Sequence, residues 1–235
     1  NEAGKAITSG NSNSIFGHAA GDALTTGERN IVIGHNAMGT ANGSESRNVA
    51  IGWSALFSMD SDGNNYNVAV GYNAGASITT GTNNVVMGAL AGDAITSGAN
   101  NVALGNQAGS AISTGGDNTI VGGFAGDALT TGPYNVAIGR SALSLEVAYG
   151  YNVAVGAFAL LNQNANDNAF NVAVGYNAGQ AVSTGIRNTV IGSLSADALT
   201  TGGYNVAVGM QALSSETGGS KNVALGSGAL ELLNV

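Results

Sequence analysis

An Asn, three apolar residues and a Gly, as in "NVAVG" at 67–71, return along the whole chain. Aligned on that Gly (Gly17, Gly34, Gly52, Gly71, Gly88, Gly105, Gly122, Gly139, Gly156, Gly175, Gly192, Gly209, Gly226), successive phrases lie 17, 18, 19, 17, 17, 17, 17, 17, 19, 17, 17 and 17 residues apart. In a strand the first and third of the three residues point to one face and the second to the other. The third is apolar in every phrase and the first is Val or Ile in ten of thirteen, so that face is expected to be buried. The middle residue is Ala eight times and Val or Ile five times, which predicts a second dry face, as in a parallel sheet covered on both sides. One face can line the coil's own thin core. The other, expected to be that of the middle column, calls for a second body, and self-association is the simplest one. Enclosing the middle column is worth roughly 16 kcal/mol per chain as an upper bound.

A short period carried through the chain predicts a solenoid, whose repeats bury their apolar faces by stacking on one another. The expected fold is all-β: a parallel β-roll or β-helix of about thirteen coils of about 17 residues, with 1–235 forming a single solenoid without linkers. Four residues before each Gly stands Asn: Asn13, Asn30, Asn48, Asn67, Asn84, Asn101, Asn118, Asn135, Asn152, Asn171, Asn188, Asn205 and Asn222. Asn tolerates left-handed backbone, and its amide can donate and accept between copies stacked at roughly 4.8 Å. An internal Asn ladder at a corner is therefore expected.

After the Gly the coils divide into two kinds. One continues "GDALTTG" (21–27, 126–132), "GDAITSG" (92–98) or "GASITTG" (75–81). The other places Leu or Met after the Ala and loses the Thr pair, as in 55–71, 142–156 and 159–175. The extra residues of the two 19-residue coils put "MDSDGNN" and "NQNANDN" in loops expected to protrude.

The phrase "NVAVGYNA" resembles the head repeats of YadA-type trimeric autotransporter adhesins. The fuller "GYNAGASITTGTNNVVMG" is similar to the 17-residue repeats of bacteriophage tail-fibre and bacterial surface-fibre proteins. The resemblance covers essentially the whole chain and implies a left-handed parallel β-roll assembled as a homotrimeric fibre. The coil is longer than the adhesin head repeat, and no neck, stalk or anchor is recognisable. Both ends cut into the pattern, so the chain reads as a segment of a longer fibre.

Composition narrows the partners. With 38 Gly among 235 residues and 9% charged residues, strands and turns are favoured over helices. A net charge of -8 with six Lys and Arg argues against nucleic-acid binding, which needs a basic face. No apolar run is long enough to span a bilayer as a helix, so membrane insertion by this segment is not expected. Cys is absent, which removes thiolate chemistry and suits an extracellular, cell-surface or virion setting.

Candidate chemistry is sparse. Asp60, Asp62 and Asn64 in "DSDGN" have the spacing of a short calcium loop without its closing Glu, and are weak metal candidates. His18 and His35 share the column after the Gly. No paired carboxylates or nucleophilic triad are legible, so neither an enzyme nor a cofactor is expected. The column before the ladder Asn reads Ser12, Arg29, Arg47, Tyr66, Asn83, Asn100, Asp117, Tyr134, Tyr151, Phe170, Arg187, Tyr204 and Lys221. Aromatic rings and cations interleaved on one exposed edge suit a cell-surface glycan or receptor, making Tyr66, Tyr134, Tyr151, Phe170, Tyr204, Arg29, Arg47 and Arg187 the contact candidates. The expected role is a structural fibre or adhesin segment for attachment to a host or partner cell. The alternatives are an ice-binding solenoid using its Thr pairs and a passive spacer shaft.

Overall fold

A computed structural model describes residues 2–232; residue 1 and residues 233–235 lie outside the described residues. The chain is an all-β parallel solenoid with a spacing of about 17 residues, and no helix occurs among the described residues. By contact it divides into two compact units, Asn1–Asp117 and Asn118–Val235. The first unit holds β1 (Ser14–Phe16), β2 (Ile31–Ile33), β3 (Val49–Ile51), β4 (Val68–Val70), β5 (Val85–Met87) and β6 (Val102–Leu104). The second holds β7 (Thr119–Val121), β8 (Val136–Ile138), β9 (Val153–Val155), β10 (Val172–Val174), β11 (Thr189–Ile191), β12 (Val206–Val208) and β13 (Val223–Leu225). Within each unit the strands pair in chain order, parallel and in equivalent register, for example Val85↔Val102 and Val136↔Val153. Each three-residue strand is the apolar triplet between Asn and Gly.

The two strand faces are the reverse of the expectation. The middle column (Val32, Ala50, Ala69, Val86, Ala103 in the first unit; Ile120, Ala137, Ala154, Ala173, Val190, Ala207 in the second) has no exposed surface and lines the coil interior. The first and third positions are half-buried or exposed, with Ile31, Ile33, Met87, Ile138, Val174 and Ile191 all in solvent. The reason is volume. The interior is a thin layer closed on the far side by the residue three after the Gly, Ala in every coil but that of Ser195, such as Ala74, Ala91 and Ala142, all buried. Ala, Val or Ile fits there, and the larger side chains are left outside.

A large side chain completes that layer, from either of two positions, or from both in the coil of Leu56 and Met59. Where the fourth residue after the Gly is itself Gly, the seventh is Leu, Ile or Val, fully buried: Leu24, Ile78, Ile95, Ile112, Leu129, Val182. A Cβ built on Gly92, at φ +52°, would lie 2.8 Å from Ile95 Cδ1, closer than packed atoms approach. Where the fourth residue is Met38, Leu56, Leu143, Leu160 or Leu213, that side chain fills the interior instead. The seventh is then Ala41, Met59, Glu146, Gln163 or Glu216, also buried. The Gly that closes a strand is fixed by approach of the next coil, except at Gly226, where a Cβ would meet nothing. A Cβ on Gly88, at φ +136°, would stand 2.4 Å from Gly105 O.

The two insertions do not simply protrude. Met59 and Asn65 point inward while Asp60, Asp62 and Asn64 between them are exposed, and Gln163, Ala165 and Ala169 are buried in the second insertion.

Candidate functional site

The ladder Asn residues are buried, apart from Asn13 and Asn222, which are half-buried. Their geometry is a relay between side chain and main chain. In the first unit Asn30 N–H donates to Asn13 Oδ1, Asn48 to Asn30, Asn67 to Asn48, Asn84 to Asn67 and Asn101 to Asn84, at 2.9–3.1 Å. The second unit repeats this from Asn118 to Asn222 at 2.8–3.2 Å. Several Nδ2 groups then donate forward to a main-chain carbonyl of the following turn, as from Asn84 to Gly98 O at 2.9 Å and from Asn188 to Gly202 O at 2.9 Å, whereas Asn48 Nδ2 turns to Ser46 O and Asn65 Oδ1 and the Nδ2 atoms of Asn152 and Asn222 have no partner. The main-chain N–H groups of the ladder residues are thereby satisfied from coil to coil, as burial demands.

The left-handed backbone expected of these Asn residues belongs instead to the residue before each of them. Ser12, Arg29, Arg47, Tyr66, Asn83, Asn100 and Asp117 in the first unit, and Tyr134, Tyr151, Phe170, Arg187, Tyr204 and Lys221 in the second, all have φ between 52° and 65°. That conformation costs a non-Gly residue about 1–2 kcal/mol. It turns the chain into the strand, and it sets one side chain per coil on the corner outside the ladder, exposed in every case but the half-buried Arg47.

In the second unit these side chains form a continuous stack. Tyr134 and Tyr151 ring centroids are 5.2 Å apart, and Tyr151 and Phe170 5.1 Å. The Arg187 guanidinium carbon lies 5.8 Å from the Phe170 ring and 5.3 Å from the Tyr204 ring, and its NH1 donates to the Tyr204 hydroxyl. Lys221 follows, exposed. In the first unit the stack is short: Arg47 lies 5.4 Å from the Tyr66 ring and donates to its hydroxyl, while Arg29 is exposed one coil earlier. The structure thus assembles the candidates of each unit into rows, and adds Lys221 to the longer one.

The remaining candidates are less organised. His18, His35 and Trp53 stack ring on ring at 5.1 and 4.2 Å. Asp62 Oδ1 accepts from Ser44 N–H at 3.0 Å and from the Ser44 hydroxyl at 3.1 Å, and Asn64 pairs with Ser46 in a parallel bridge. Among the described residues no group of three His, Cys, Asp or Glu is placed to hold a metal ion. The first Thr of the pairs spends its hydroxyl on the next coil: Thr79 donates to Thr96 O at 3.1 Å, Thr96 to Ser113 O at 3.2 Å and Thr200 to Thr217 O at 2.6 Å.

Buried carboxylates were not legible in the sequence. Glu146 Oε1 accepts from Tyr149 N–H, Glu216 Oε1 from Gly218 and Gly219 N–H, and Glu45 Oε2 from Gly43 N–H. Burial raises the carboxyls of Glu146 and Glu45 above the usual range, against the pull of these main-chain donors. For Glu45 the charges of Asp62 and Asp60 add to the rise. All three carboxylates cap turns that lack the Thr-Thr-Gly or Thr-Ser-Gly phrase. A Glu seven residues after the strand Gly, in a coil whose fourth residue is Leu, was the signal available for two of them.

The class these observations define is a parallel β-solenoid repeat protein with an exposed apolar sheet face and an aromatic and cationic corner. Comparison with protein-family models, curated proteins and solved structures gives no match. Among the described residues no helix is long and apolar enough to cross a membrane.

Proposed function

We propose that this chain is a segment of a homotrimeric, left-handed β-roll fibre, carried on a cell surface or virion, that attaches to a host or partner cell by binding rather than catalysis. The observation that carries the assembly is the outward strand face. In each unit it is a parallel row made mostly of Val, Ile and Leu, with Met87 in the first unit, half-buried or exposed, of the kind that marks an interaction surface. The row is continuous with the solenoid repeat, so a second and third copy in the same direction would meet it coil by coil. The aromatic and cationic corner supports attachment, because exposed rings and guanidinium groups are the side chains most used in recognition. The internal bonding of the first Thr hydroxyls speaks against an ice lattice as the ligand.

Sedimentation equilibrium is the test of assembly. The chain is expected to be trimeric at micromolar concentration, and Met87→Lys, on the outer face, to release monomers that keep their β-sheet circular dichroism. A stable wild-type monomer would end the trimer reading. Attachment is tested by binding of the labelled chain to intact cells, with Tyr134→Ser, Tyr151→Ser, Phe170→Ser and Tyr204→Ser combined. Loss of cell binding with assembly intact supports an adhesive surface. Unchanged binding would leave the segment a spacer, and thermal hysteresis lost on replacing Thr80, Thr96, Thr114 and Thr131 would make it an ice binder.

A further inference from the structure

The charged groups of this chain are not spread evenly. Of six Lys and Arg, four (Arg29, Arg47, Arg187, Lys221) stand in the single column before the ladder Asn, whereas only Asp117 of fourteen acidic residues does. Yet the net charge is -8. In the second unit that column, Tyr134 to Lys221, contains no acid, no Gly and no Asn, although every position is left-handed and Gly or Asn would fill it at lower cost. Left-handed backbone recurs in other columns of the unit, at Phe158, Leu160 and Gln211 among others, so what sets this column apart is its exposed rings and cations without an acid.

We infer that this corner of the second unit binds an acidic polysaccharide, laid along the row with its carboxylates on Arg187 and Lys221. The choice of ligand follows from the stack. Rings about 5 Å apart, with the Arg187 guanidinium against Phe170 and Tyr204, have their faces occupied by one another. No open ring face is left between them for a nucleobase or for a sugar to stack upon. What they expose is a ridge of ring edges, electropositive at their hydrogens, beside two cations. Arg187 is held on one side by Tyr204, and its remaining fork of donors matches a carboxylate in two-point fashion. Coils advance by roughly 4.8 Å, close to one sugar residue of an extended chain. Arg187 and Lys221, two coils apart, therefore meet acidic groups on alternate sugars. A densely charged polyphosphate is disfavoured by the chain's own negative charge. The inference rests on the reading of the segment as an attachment fibre, and names the class of its ligand.

The test uses the full chain with hyaluronate, which carries a carboxylate on every second sugar. Neutral dextran and single-stranded oligo-dT serve as comparisons, and sedimentation is run on the same samples. Hyaluronate is expected to bind, and to release as salt rises, because exposed charge pairs are screened. Arg187→Gln with Lys221→Gln is expected to weaken it by about tenfold or more, through loss of two charge-assisted contacts, with the melting temperature held. Tyr151→Ser should weaken it less, and Arg140→Gln, a cation of the same unit outside the column, should leave it unchanged. No hyaluronate binding by an assembled trimer would overturn the inference while leaving the fibre reading in place. Equal binding by the Arg187 and Lys221 double variant, equal binding of dextran, or tighter binding of oligo-dT would each overturn it as well. Binding with these sensitivities by a chain that sediments as a monomer would uphold the site and remove the trimer.

Discussion

Coils built like 88–105 and coils built like 139–156 enclose the same interior by opposite means. In the first, Gly92 leaves room and Ile95 fills it; in the second, Leu143 fills it from the earlier position and Glu146 occupies the later one, buried. The Gly coil has an apolar interior, and its turn is closed by the phrase Thr-Ser-Gly. The Leu coil lacks that turn and needs a carboxylate to accept from Tyr149 N–H. Around it three buried polar atoms remain without a partner: Glu146 Oε2, Asn152 Nδ2 and Gln163 Nε2. The lesson is that the layer is filled from either position and not by any one residue, and that the Leu solution carries a polar cost where Glu or Gln, and not Met59, takes the later position.

The largest effect is expected from emptying the layer. Ile95→Ala removes the one large side chain of its coil and should cost about 2–5 kcal/mol, read as a drop in the urea midpoint. Asn84→Ala comes next, at about 1–3 kcal/mol, because it leaves Asn101 N–H and Gly98 O without their partners. Asn152→Ala should cost less, since Asn152 Nδ2 has no acceptor to lose; equal costs would mean that the ladder acts through its Oδ1 relay alone. Gly92→Leu should destabilise by about 1–3 kcal/mol through overpacking against Ile95. Combined with Ile95→Ala it should recover most of both losses, converting one kind of coil into the other. Additive losses in the double variant would refute the exchange of positions.

The smallest effect concerns pH. Glu146 has its carboxyl raised in the folded state by burial, so the folded chain holds that proton at pH values where the unfolded chain has released it. Stability from this group is therefore greatest below the ordinary carboxylate range and falls as pH rises through the raised value. Acidification from neutrality toward that range should stabilise the wild type, with Glu45, Asp93 and Asp197 raised by burial in the same sense. Glu146→Gln should be more stable than wild type at neutral pH and show a shallower dependence on acidification. An identical slope in both would show that Glu146 does not titrate in this window.

Much of this architecture could be read before any coordinates. The period, the strand triplets and the two kinds of coil follow from the recurrence of Asn and Gly at a fixed distance, which only stacked coils require. The division of each strand into inside and outside was misread because hydrophobicity was taken as the measure of burial. The better signal was size. The middle column never exceeds Val or Ile, while the third position admits Phe16, Met87 and Leu104, and only a face without a ceiling tolerates such variation. The aromatic and cationic corner was legible as a column, but its left-handed backbone and ring stacking were not. Nothing in the residue types Tyr, Phe and Arg announces a conformation they usually avoid.

The relay of Asn side chains also has a direction in time. Within each unit, a coil leaves an Oδ1 acceptor and an Nδ2 donor facing the residues that come later in the chain, as Asn67 does toward Asn84 N–H and Gly81 O. A nascent chain leaving the ribosome would thus find each new coil's docking partner already formed, about 17 residues behind it. Such a polymer grows as a crystal grows, by adding a layer to a finished face. Its slowest event is laying the first coil.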